Sequence, residues 1–179
     1  MPKISLPTKD RRVEPYITGE PIVLPTKGAT PKLNRIAYAA THVVADPFAD
    51  IDPWLDAAID WDRTIAFRDY LWDLGLGVAE GMDTAQRGMG LDWAGAKELI
   101  RRALAAAKAR PGALIGCGVG TDHLDAGPNV TVDDVIRAYE EQIETIEAMG
   151  GKLIVMASRA RPAEAAGAMA SKMPSSASE

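Results

Sequence analysis

Residues able to do acid–base or binding chemistry fall in four short groups. The first is His42 with Asp46. The second is Glu80, Asp83, Thr84, Gln86 and Arg87. The third is Thr121, Asp122 and His123, and the fourth is Ser158 with Arg159. An imidazole changes charge near neutral pH and suits proton transfer. Carboxylates move protons or accept hydrogen bonds, and hydroxyls and guanidinium groups orient a polar substrate. His42, His123 and Asp83 are therefore the candidate catalytic groups. Thr84, Gln86, Arg87, Glu80, Ser158 and Arg159 are the candidate substrate-binding groups. Each also has a plain structural reading, since aspartates in loops form turns and caps and His42 sits inside an apolar run. Arg87-Gly88-Met89-Gly90 fits an anion cradle or a tight turn before the next helix. His42, Glu80, Asp83, Asp122 and His123 also form a set of N and O donors of the kind that holds a divalent metal.

These groups share a position relative to the apolar runs. Ile36–Val44, Gly77–Met82, Ala113–Gly118 and Leu153–Ala157 are short and almost continuously apolar, as strands buried on both faces are. Amphipathic stretches separate them. Asp60 caps a helix that Gly75 ends, and Asp92 caps a second that Pro111-Gly112 ends. Thr131 caps a third that ends at Gly150-Gly151. A shorter helix is expected at Asp52, with Pro53 at its first position. The order β-α-β-α-β-α-β predicts a parallel sheet with right-handed crossovers. In such sheets ligands bind beyond the carboxyl ends of the strands, which is where all four polar groups fall. The Gly116–Gly120 cluster is followed by a loop, not a helix, which argues against a dinucleotide site. None of the eight lysines lies at a strand's carboxyl end. A Schiff-base lysine thus has no candidate.

Composition narrows the class. The chain has 179 residues, 47% hydrophobic and 25% charged, with a net charge of −5. It reads as a globular protein with no basic face for nucleic acid. It contains one cysteine, Cys117, no span for a membrane and no signal peptide, so a cytoplasmic location is expected. Residues 1–34 are a proline-rich arm, with a hairpin expected between Tyr16–Thr18 and Ile22–Leu24. Residues 35–160 carry the βα pattern. Residues 161–179 are a low-complexity tail, expected to be mobile. The four tryptophans read as packing residues.

The stretch from Tyr38 to Trp61 contains Ala-Thr-His-Val-Val-Ala-Asp-Pro and Asp-Pro-Trp-Leu-Asp. With Gly75–Trp93, Gly120–Leu124 and Met156–Ala160, it resembles a bacterial family labelled dihydrodipicolinate synthase family protein. The likeness runs from near the N-terminus to about Ala160. The resemblance implies a (β/α)8 barrel similar to the class I aldolases and lyases, acting on 2-oxo acids or related carbonyl compounds without a separate cofactor. The better-known enzymes carry Gly-Thr-Thr-Gly-Glu after their second strand. Here Thr84 is the counterpart, and Asp83 and Gln86 depart from the pattern. Their lysine lies on a sixth strand. At about 38 residues per βα unit, this chain has room for four strands of a barrel whose full length is roughly 250 residues or more. The expectation is an α/β fold, the N-terminal half of a barrel with arm and tail, inactive alone in Schiff-base chemistry. Its expected partners are a small-molecule substrate and a second copy, through self-association or aggregation at the exposed half-barrel face. A metal-dependent aldolase or isomerase and a non-catalytic fragment are the alternatives.

Overall fold

The computed structural model describes residues 3–21, 34–52, 55–125 and 127–158. The second arm of the expected hairpin (Ile22–Leu24), Pro53, Trp54, Arg159 and the tail lie outside them. In the arm, β1 (Lys3–Pro7) pairs antiparallel with β2 (Val13–Ile17), with Ile4 opposite Tyr16. This hairpin precedes the expected one, whose second arm lies outside the described residues. Its link holds no glycine; Arg11 instead takes a left-handed φ of 59°. The Thr8 amide bonds the Arg12 carbonyl at 2.8 Å. An arginine in that conformation is uncommon and carries no turn signature.

The rest follows the alternating pattern. β3 (Tyr38–Ala40), α1 (Trp61–Asp73), β4 (Gly77–Glu80), α2 (Trp93–Lys108), β5 (Ile115–Val119), α3 (Val132–Ala148) and β6 (Leu153–Val155) succeed one another. The sheet order is β3-β4-β5-β6, every neighbouring pair parallel. Each helix starts where a side chain satisfies a free amide. Asp60 accepts from Arg63 N at 3.0 Å and Asp92 from Gly95 N at 2.7 Å. Thr131 and Asp134 form a reciprocal capping box. Gly75 and Gly150 follow the helix ends with φ of 78° and 80°. At Asp52 the backbone carbonyl accepts from the amides of Leu55 and Asp56 at 3.0 and 2.9 Å. No helix follows among the described residues.

The first strand is much shorter than its apolar run. After Ala40 the backbone leaves the sheet and is held by α1 side chains. Val44 N bonds Thr64 Oγ1 at 3.0 Å and the His42 carbonyl accepts from Arg68 at 2.6 Å. An isolated antiparallel bridge joins Ala45 to Ile59.

Side chains alternate across each strand. Val78 packs on Leu71, Trp72 and Ala107. Cys117 and Val119 pack with Trp93, Leu99, Ile100 and Ile146. These positions face the helices. Gly77, Ala79, Gly116 and Gly118 face the other way. There, a Cβ on Gly77 would come within 2.7 Å of the Tyr38 ring, and one on Gly118 within 2.6 Å of the Gly81 carbonyl oxygen. Small residues thus let neighbouring groups lie directly on the strands. Among the described residues no helix is long and apolar enough to cross a membrane.

Candidate functional site

Two buried arginines organise the carboxyl ends of the strands. Arg68, on the apolar stripe of α1, is fully buried beside Glu80 at the end of β4. The guanidinium grips both carboxylate oxygens at 2.8 Å and donates to the carbonyls of His42 and Thr64. Glu80 Oε1 also accepts from Gly81 N at 2.9 Å and from the Thr41 hydroxyl at 3.3 Å. The alternation that turns Val78 toward the helices turns Glu80 the same way. Its carboxylate ties α1, β3 and β4 together on the helix side.

Arg87 is the second. It is 1% exposed, and all five of its N–H groups have acceptors. Nε and Nη2 hold Asp122 at 3.3 and 2.5 Å. Nη1 reaches the carbonyls of Gly81 and Gly118 at 3.1 and 2.7 Å. Nη2 also reaches Gln142 Oε1 at 2.7 Å. The Trp93 ring lies 5.2 Å from the guanidinium carbon. Gln142, fully buried in α3, is equally committed: Oε1 also accepts from Gly120 N at 2.8 Å, and Nε2 contacts Asp122 and His123 at 3.1 and 2.8 Å. This network binds the ends of β4 and β5 to α3.

Beside it a small hollow of about 20 Å³, room for about one water, lies beyond the carboxyl ends of β4, β5 and β6. It is lined by Asp83, Arg87, Gly120, Thr121, Asp122, Met156 and Ala157. The hydroxyls of Thr121 and Ser158 meet at 2.6 Å. Burial raises the Asp122 carboxyl, but the hydrogen bond from Gln142, the Arg87 charge and further hydrogen bonds outweigh it and hold the carboxyl below its ordinary value. Asp122 is therefore ionised near neutral pH and is not a proton donor. Burial, then the Glu80 charge, pushes the Cys117 thiol up to about 12, so it is no nucleophile.

The structure brings Asp83, Arg87, Asp122 and Ser158 together and disperses the other predicted residues. His42 is exposed and stacks on Phe67 at 4.6 Å. His123 turns from the small hollow toward α3, where Nε2 lies 3.2 Å from Glu141. Thr84 donates to the Thr41 carbonyl at 3.1 Å. Gln86, with φ of 63°, lines an apolar hollow with Val43, Ile59 and Met89. Asp46 accepts from Phe48 N in a turn. Arg159 lies outside the described residues. Among the described residues no three His, Cys, Asp or Glu side chains converge as a metal would need. The expectation missed Gln142 and Glu141. A polar residue between the apolar positions Tyr139, Ile143 and Ile146 was the available signal for Gln142.

No curated protein matches the chain. A family model described as "Protein of unknown function (DUF993)" matches residues 4–172. The chain belongs to that family.

Proposed function

We propose that this chain carries the substrate-binding rim of a (β/α)8-type aldolase or lyase, with its four strands forming half of the barrel. The ligand is a 2-oxo acid or related carbonyl compound. The observation that carries the reading is the polar rim of Asp83, Thr121 and Asp122 around a small hollow beyond the ends of three adjacent parallel strands, where such sheets bind ligands. The family resemblance supplies the reaction class. Asp83 is the proton-transfer group, because Arg87 and Gln142 hold Asp122 ionised. Thr121 and Ser158 offer hydroxyls to a substrate oxygen. Arg87 shapes the rim and does not bind substrate, since each of its N–H groups already has an acceptor. The helix-free face of the sheet is the surface for self-association. The metal-dependent reading draws no support from donors that Arg68, Arg87 and Gln142 already hold.

Calorimetric titration of the full chain with pyruvate tests this reading. Saturable binding that Asp83→Asn or Thr121→Val weakens tenfold or more supports it. No heat at millimolar pyruvate contradicts it. Borohydride added with pyruvate should leave every lysine unmodified. A trapped adduct would overturn the assignment of proton transfer without a Schiff base.

A further inference from the structure

The Gln142 side chain has only one workable orientation. Its Oε1 faces two groups that can only donate, Arg87 Nη2 and Gly120 N. Turning the amide over would set its NH2 against both. Nε2 therefore donates, once to Asp122 Oδ1 and once to His123 Nδ1 at 2.8 Å. His123 Nδ1 must then present its lone pair, and the imidazole carries its proton on Nε2, toward Glu141 Oε2.

We propose that His123 is a proton-operated latch on the rim loop of residues 120–125. A second proton, on Nδ1, would set an N–H against an N–H at 2.8 Å. Gln142 cannot turn over to relieve this, so His123 must leave its recess. Glu141, on α3, is more than half exposed, accepts from Trp93 Nε1 and already meets His123 Nε2 at 3.2 Å, so the ring can swing its Nδ1 away from Gln142 while keeping this outer contact. Asp122, on the inner side, is already neutralised by Arg87. Asp134 and Arg137, also on α3 and lining the same recess, pair with each other. On α2, Lys97 lies over the Trp93 ring, which approaches His123 to 6.0 Å. Release of His123 removes one of the bonds that dock the loop on α3. That loop carries Thr121 and Asp122, so the rim loosens as the pH falls. The latch is independent of which ligand the rim takes.

Nitrogen-15 NMR on the full chain tests the latch. At pH 8, His123 should show a bare Nδ1 and a protonated Nε2. As the pH falls to 5, backbone amide protection over residues 120–125, corrected for intrinsic exchange, should drop about tenfold, the scale of one lost hydrogen bond. The drop should track the His123 titration and not that of exposed His42. His123→Phe should abolish the pH response. A proton on Nδ1 at pH 8 would overturn the proposal. So would protection unchanged through the His123 titration, or a pH response that survives His123→Phe.

Discussion

Arg68 and Glu80 sit with neither side chain exposed, and each oxygen and nitrogen between them is matched. Removing one partner leaves a buried charge without compensation, a loss of about 3–5 kcal/mol. Arg68→Met should therefore destabilise strongly in urea unfolding. Arg68→Met with Glu80→Leu should recover most of the loss, because the pair's desolvation cost disappears with it. A double variant no more stable than the single one would show that the carboxylate is not the source of the loss. Asp122 makes a pH-dependent contribution. Its folded carboxyl lies below the ordinary value of 3.8, so its stabilisation is full above that value. It fades as the pH falls through the lower folded value. Asp122→Asn should flatten the acid limb of the stability curve, measured as denaturation midpoint against pH. Part of this was legible in the chain. Glu80, Asp83, Arg87 and Asp122 were recognisable as polar groups following strands. Which of them face a ligand was not, because a strand's alternation sends Glu80 to the helices while Asp83 lines the small hollow. That depends on register, and a short continuously apolar strand carries no periodicity that reveals it.

At the scale of elements, the three main helices were readable from their caps, since Asp60, Asp92 and Thr131 each satisfy local amides. Such signals need only neighbouring residues. Strand lengths need distant ones, and β3 ends at Ala40 because Thr64 and Arg68 of α1 capture the following backbone. The joint between β4 and β5 is equally non-local. Gly118 has Gly81 O and Met82 Sδ within 2.6 and 3.0 Å of where a Cβ would stand. Gly81 backbone cannot swing away as a side-chain tip can, and its carbonyl is also tied to Arg87. Gly118→Ala should therefore lower stability by more than 1 kcal/mol, within the about 1–3 kcal/mol range of overpacked sites. It should also perturb the Arg87 network, read as shifted Trp93 side-chain resonances. Gly112→Ala, where a Cβ meets nothing but φ is 80°, separates conformational strain from close approach. Equal effects of the two substitutions would contradict a packing role for Gly118.

At the scale of the molecule, the described residues cover one face of the four parallel strands with helices and leave the other to Tyr38, Ile154 and small residues. Tyr38 on one edge strand is 46% exposed and Val155 on the other is 65% exposed. Neither edge carries the charges or prolines that discourage strand pairing. Light scattering of the full chain should show self-association that Tyr38→Lys, on the helix-free face, reduces. A monomer across the micromolar range would argue against that face as an interface. The central claim remains the polar rim beyond the ends of β4, β5 and β6. Mapping amide shifts during a pyruvate titration tests it most directly. Shifts centred on Asp83, Gly120, Thr121, Asp122 and Ala157, lost in Asp83→Asn, are predicted. Saturable shifts confined to the apolar hollow around Met89, or to the arm, would contradict it.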